Sequence, residues 1–111
     1  MREDPSPPDT PRNVAEEAAR LARCGDPLPE SWSPELRALV TEARGDWDGA
    51  HRMVQELETR AAAWVHAYLH RREGDLANAG YWYRRAGRSP SSADLEIEWR
   101  EIVSALSGDP E

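Results

Sequence analysis

The sequence lacks lysine and phenylalanine entirely and contains a single cysteine, Cys24. One cysteine excludes an internal disulfide and a metal cluster built from cysteines. No histidine or asparagine stands near Cys24 to mark it as a catalytic nucleophile, so we interpret it as a structural thiol.

Long apolar runs are also missing. None approaches the roughly 20 residues that are needed to span a bilayer. The amino terminus lacks the charged-then-apolar order of a signal peptide. These absences predict a cytoplasmic protein with no contact with a membrane.

The net charge is −7, and all fourteen basic residues are arginine. An acidic chain is a poor match for the phosphate backbone of nucleic acids, which favours positive surfaces, so nucleic acid is not the expected partner. The charge is unevenly distributed. Residues 36–91 carry nine arginines against seven acidic residues, whereas residues 92–111 carry six acidic residues against one arginine.

The 111 residues fit one domain, because domains most often contain about 100–150 residues. Residues 1–11 include four prolines and two aspartates, a composition that buries no apolar surface and predicts a disordered tail. We predict one all-α domain over residues 12–107 and a short C-terminal tail over residues 108–111.

Glycine and proline divide this domain into about five to six short antiparallel helices. Apolar residues recur within each at the spacing of one helical face, and β-branched residues are too scattered to predict a strand. Most of the helices follow a residue whose side chain can accept N–H groups of the first turn. The fourth helix is expected over residues 59–73. The predicted caps of the other five are Asn13, Ser33, Asp46, Asp75, and Ser91 or Ser92.

One helical turn occurs twice in the chain. Residues 44–50 (RGDWDGA) match residues 73–79 (EGDLANA) at an offset of 29 residues. In both copies a glycine ends one helix and an aspartate caps the next. The alanine four residues after the aspartate lets the two antiparallel helices approach closely.

This pattern resembles the tetratricopeptide-repeat helical hairpin, over roughly residues 34–87, and Tyr83 and Ala86 match its aromatic-x-x-Ala pair. The resemblance implies a small right-handed helical-repeat array with a concave, peptide-binding groove. It leaves open which face of the fourth helix is buried. The family's inner face would carry Ala63, His66, Ala67 and His70, whereas the more apolar face carries Trp64, Val65, Tyr68 and Leu69.

A second resemblance rests on residues 66–75 (HAYLHRREGD) and 81–88 (YWYRRAGR). These segments are similar to an uncharacterised bacterial family of small helical proteins. This resemblance implies no activity.

Arginines and aromatic residues are interleaved between residues 64 and 88. Arginine pairs with carboxylates in a planar fork and stacks on aromatic rings, so such a surface is suited to anions. The first functional hypothesis is therefore an interaction module that binds an acidic peptide, a partner protein or another anionic ligand. The residues that would carry this binding are Trp64, Tyr68, Arg71, Arg72, Arg84 and Arg85.

Two alternatives explain the same residues without an external partner. The acidic final helix, through Glu96, Glu98 and Glu101, could fold back on the arginines and neutralise them. The aromatic residues could instead lie in the interface of a homodimer.

The three histidines form a second candidate site. His66 and His70 are four residues apart and project from one helical face, and His51 lies on the apolar stripe of the preceding helix. Together with Tyr83, and with Glu73 as a further ligand, they form a candidate metal or small-molecule site, and catalysis is one role that such a site would allow. The alternative is that the histidines only hydrogen-bond backbone groups or carboxylates, because an i,i+4 pair is not specific for a metal.

The sequence contains no nucleophile–base motif, no phosphate-binding glycine loop and no dinucleotide fingerprint. It therefore predicts no catalytic residue and no cofactor, and it favours a binding protein over an enzyme.

Overall fold

The computed structural model describes residues 14–107, which form six α-helices and, within this range, no β-strand. The all-α class predicted from the sequence is confirmed. None of these helices is long and apolar enough to cross a membrane. The tails predicted for residues 1–11 and 108–111, and the Asn13 cap, lie outside the described residues. The helices are α1 Val14–Leu21, α2 Pro34–Ala43, α3 Trp47–Val54, α4 Arg60–Arg72, α5 Leu76–Ala86 and α6 Leu95–Leu106.

Short polar side chains cap the starts of α2 and α4. Ser33 Oγ accepts the N–H of Leu36 at 3.2 Å, and Pro34 follows it at a position where its missing N–H costs nothing. Thr59 Oγ1 accepts the N–H of Ala62 at 2.9 Å in the same way. Each bond satisfies a backbone donor that the helix itself leaves free.

The start of α6 differs from the predicted cap at Ser91 or Ser92. Asp94 occupies the N-cap position, and its side chain makes no capping bond. Ser91 Oγ accepts the N–H of Ala93 at 3.2 Å, so this hydroxyl stabilises the loop before the helix.

The repeated turn has the same geometry in the α2–α3 and α4–α5 hairpins. Gly45 and Gly74 have φ angles of 96° and 90°, a conformation that is costly for residues with a Cβ atom. Asp46 and Asp75 accept the N–H three residues ahead, at 2.9 and 3.2 Å. The N–H of each aspartate donates to the carbonyl five residues earlier, as in a Schellman motif. The sequence repeat is therefore a repeat of local structure.

Helix α4 is central to the fold. It packs most extensively against α5 and also contacts α2, α3 and α6. All residues from Ala62 to His70 are buried as a result, so both faces that the sequence presented as alternatives lie inside the protein.

Helix α6 lies across α1, α2 and α4 and closes the core. Trp99 Nε1 donates to the carbonyl of Leu39 at 3.0 Å, and Ile102 and Val103 have no exposed surface. Glu98 lies on the same buried face of α6 and is also completely buried.

Candidate metal centre

The three histidines come together between α3 and α4. His66 and His70 are one turn apart on α4, and their rings stack with centroids 4.9 Å apart. His51 faces them from α3, and its Nε2 atom lies 2.9 Å from Nε2 of His66. The α3–α4 packing thus brings together residues that are 15 or more positions apart in the sequence.

Two tryptophans enclose this cluster. The ring of Trp47 stacks on His51 with centroids 5.0 Å apart, and the ring of Trp82 stacks on His66 at 3.8 Å. Trp47 Nε1 donates to the carbonyl of Leu69 at 2.8 Å, which fixes the position of that indole. The rings therefore restrict the rotation of two imidazoles.

Burial and repulsion between neighbouring imidazoles keep His66 and His51 neutral. Burial, followed by the charges of His51 and His70, lowers the pKa of His66 to about 4. Burial, and then His70, also lowers the pKa of His51. Near neutral pH both imidazoles therefore have a free nitrogen lone pair, which is the form that ligates metal ions.

The hydrogen bonds of the cluster leave some nitrogen atoms available. His70 Nδ1 donates to Glu73 Oε2 at 2.8 Å, and this bond orients the ring with Nε2 free. Between His51 and His66, one Nε2 donates to the other. His66 Nδ1 is buried and has no hydrogen-bond partner among the described residues.

The spacing of the ring nitrogens is suited to a single metal ion bound by all three histidines. One nitrogen from each of His51, His66 and His70 lies within 4.8 Å of the other two. Two nitrogens bound at 2.0–2.1 Å to a tetrahedral zinc ion are about 3.3 Å apart, so the 2.9 Å between His51 and His66 is close to that separation. His70, Glu73 and Asp75 form a second, more exposed set with the same spacing limit.

The structure places Tyr83, the fourth residue of the predicted histidine site, in a different cluster. Its hydroxyl donates to Glu98 Oε2 at 2.6 Å, and Trp64 Nε1 donates to the same oxygen at 3.1 Å. Arg71 Nη1 donates to Glu98 Oε1 at 2.8 Å. Burial and the Glu98 carboxylate raise the pKa of Tyr83, which therefore remains a donor at any ordinary pH.

The predicted arginine and aromatic surface is divided between two environments. Trp64 and Tyr68 are buried, and Arg71 contacts Glu98 of α6, so the internal pairing that the sequence left open is formed by Glu98. Glu96 instead pairs with Arg100 at 3.5 Å within α6.

The other three arginines of that surface are solvent-accessible. Arg72 pairs with the buried Glu42 at 2.9 Å. Arg84 and Arg85 are exposed, and Arg85 donates to the hydroxyl of Tyr81 at 3.0 Å.

Sequence reasoning included Glu98 among three possible partners of the arginines but missed its complete burial and its bonds to Trp64 and Tyr83, and it missed the two tryptophans that enclose the histidines. The signal for Glu98 was present, because it lies three residues after Leu95 and four before Ile102, on the apolar stripe of α6. The enclosure by Trp47 and Trp82 depends on the packing of three helices and has no local signal.

No protein-family model matches this sequence, and no curated protein or solved structure matches it at a significant level.

Proposed function

We propose that this protein binds a divalent transition metal ion of the zinc class through His51, His66 and His70. The observation that carries the proposal is the convergence of one ring nitrogen from each histidine within 4.8 Å. No other arrangement of three ligand atoms among the described residues combines this spacing with burial of two of the three side chains.

The chemistry of the ligands favours zinc, copper, nickel or cobalt over magnesium and calcium. Imidazole nitrogen suits the former ions, whereas the latter prefer oxygen. Three histidines also leave the fourth position of a tetrahedral ion for water or an external ligand, as in zinc sites that are not closed by protein side chains.

The surroundings of the cluster support the same proposal. The bond between Glu73 and His70 is the carboxylate–histidine pair that commonly orients a metal-bound imidazole. The negative charges of Glu73 and Asp48 act on His51, the half-buried member of the cluster, and would attract a cation to the accessible side of the site.

We further propose that the two hairpins form a TPR-like right-handed repeat that holds the histidines. The equivalent glycine and aspartate turns at a 29-residue offset support this arrangement. A groove that binds an acidic partner is the less supported function, because Trp64, Tyr68 and Arg71 contact the chain's own α6 or are buried beneath it.

Isothermal titration of the chelator-treated full chain with zinc chloride tests the metal proposal. We expect one equivalent to bind, and magnesium chloride at the same concentration to give no saturable heat. In the variant His51→Gln the affinity should fall by about 100-fold or more, given that even outer-shell substitutions at metal sites cost 10–100-fold.

The matched control for this titration is Gln55→Ala, which changes an exposed residue one turn further along the chain. Its zinc affinity should equal that of the unmodified protein, with circular dichroism establishing that both variants are folded. Absence of saturable zinc binding, or equal affinity in His51→Gln, would contradict the proposal.

A further inference from the structure

A cavity of about 350 Å³ lies between α1, α2, α4 and α6 and shares no residue with the histidine cluster. Its volume falls within the range of small-molecule sites in proteins, about 300–1,000 Å³. It is lined by Ala19, Ala22, Arg23, Glu42, Ala43, Tyr68, Arg72, Glu96, Trp99 and Arg100.

The walls of this cavity combine a flat apolar surface with a few charged groups. Ala19, Ala22 and Ala43 leave room between α1 and α2, because their side chains end at Cβ. Tyr68 and Trp99 supply aromatic rings that are themselves nearly buried and therefore rigid. An apolar body of small size fits such walls.

The charges in the lining leave one positive charge in excess. Arg72 pairs with Glu42 at 2.9 Å, and Arg100 pairs with Glu96 at 3.5 Å. Arg23 forms no ion pair with a carboxylate among the described residues. Three arginines face two glutamates, so a ligand with one negative charge would neutralise the lining.

Glu42 restricts where the negative charge of a ligand can lie in the cavity. Its carboxylate is only 6% exposed and already pairs with Arg72 at 2.9 Å, so this side of the lining offers no free cation and places a negative oxygen next to the cavity. An anionic group is therefore repelled from the Glu42 side and attracted to Arg23, which fixes the direction in which a ligand enters.

We propose that this cavity binds a small monocarboxylate with an apolar or aromatic body. The carboxylate pairs with Arg23, and the body lies against the alanines of α1 and α2 and the ring of Trp99. This site is independent of the metal proposal, so either can fail without the other.

NMR titration of the ¹⁵N-labelled full chain with 3-phenylpropionate tests this site. We expect saturable shifts confined to the amides of residues 19–23, 42–43, 68–72 and 96–100, which include the lining of the cavity. The neutral analogue 3-phenylpropanamide has the same body without the charge and should bind at least about tenfold more weakly, a difference of one ion pair at a partly buried site.

Three variants keep the test specific. Arg23→Ala should weaken binding of 3-phenylpropionate about tenfold or more, whereas Arg20→Ala, which removes a charge three residues earlier and outside the lining, should leave it unchanged. Ala22→Leu fills the cavity without changing its charge and should abolish binding, which covers the case in which Arg23→Ala does not fold.

The proposal would be overturned by the absence of saturable shifts, by equal affinity for the acid and the amide, or by unchanged affinity in both Arg23→Ala and Ala22→Leu. Tighter binding of phenylalanine than of 3-phenylpropionate would also overturn it, because the occupant would then be a zwitterion whose ammonium group pairs with Glu42.

Discussion

The Nε2 atoms of His51 and His66 lie 2.9 Å apart, although the two residues belong to different hairpins of the fold. Two protonated imidazoles cannot occupy these positions, because their positive charges would repel each other and each Nε2 would carry a hydrogen. The contact therefore requires at least one neutral ring, and it links the stability of the α3–α4 packing to pH and to any cation that replaces the shared hydrogen.

The first prediction concerns the pH dependence of stability in the metal-free protein. His66 has a pKa of about 4 when folded, against about 6.5 in the unfolded chain, so the unfolded state binds more protons between these values. The free energy of unfolding should therefore be highest above pH 6.5 and should fall by about 3 kcal/mol as the pH drops to 4. Urea denaturation at pH 7.0, 5.5 and 4.5 measures it.

Comparison with the variant His66→Gln separates the contribution of His66 from that of the carboxylates, which take up protons over an overlapping pH range. Its free energy of unfolding should fall less steeply between pH 6.5 and 4.5 than that of the unmodified protein. Parallel curves for the two proteins would show that His66 is not the group responsible.

Among the acidic residues of α6, Glu98 is the one whose replacement is predicted to lower the free energy of unfolding most. Replacing it with alanine leaves Arg71 without its carboxylate partner and removes the acceptor of Trp64 and Tyr83, so we expect a loss of about 3–5 kcal/mol in the free energy of unfolding. Glu101→Ala changes an exposed residue of the same helix and should cost no more than about 0.5 kcal/mol. Equal effects in chemical denaturation would contradict the buried role of Glu98.

Two tyrosines on α5 provide a matched comparison of one hydroxyl group. Tyr83→Phe removes a buried donor to a carboxylate and should cost about 1.5–3 kcal/mol. Tyr81→Phe removes an exposed hydroxyl that accepts from Arg85 and should have an effect within about 0.5 kcal/mol. Thermal unfolding measures both, and a larger loss at Tyr81 would be inconsistent with the structure.

Glycine-to-alanine changes should have opposite effects on stability in the repeated turns and in the interior of α5. Gly45→Ala and Gly74→Ala place a Cβ atom at φ angles of 96° and 90° and should each destabilise the protein by about 1 kcal/mol or more. Gly80→Ala lies inside α5, where the new Cβ meets only Arg84 Nη1 at 3.8 Å, and should stabilise it by about 0.5–1 kcal/mol. Differential scanning fluorimetry is sufficient to measure the sign of each change.

Much of the fold follows from local sequence signals. Ser33-Pro34, Gly45-Asp46 and Gly74-Asp75 each specify a helix boundary through a chemical property of one or two residues, and the structure has those boundaries. The start of α6 at Asp94 was less predictable, because several adjacent serines can cap a helix and the loop uses one of them.

The candidate site was only partly predictable for a different reason. The spacing of His66 and His70 fixes their shared face, but their distance to His51 depends on how α3 packs on α4. The grouping of Tyr83 with the histidines failed because α6 supplies Glu98 as its partner from a segment 15 residues further along the chain. Contacts of this kind are set by tertiary packing, which periodicity within one helix does not contain.

X-ray absorption at the zinc edge of the full chain, loaded with one equivalent of zinc, tests the central claim most directly. The metal proposal predicts nitrogen or oxygen ligands at about 2.0–2.1 Å with outer-shell scattering from three imidazoles, reduced to two in His51→Gln. A shell of oxygen ligands without imidazole scattering, or an identical spectrum in His51→Gln, would contradict a metal centre at His51, His66 and His70.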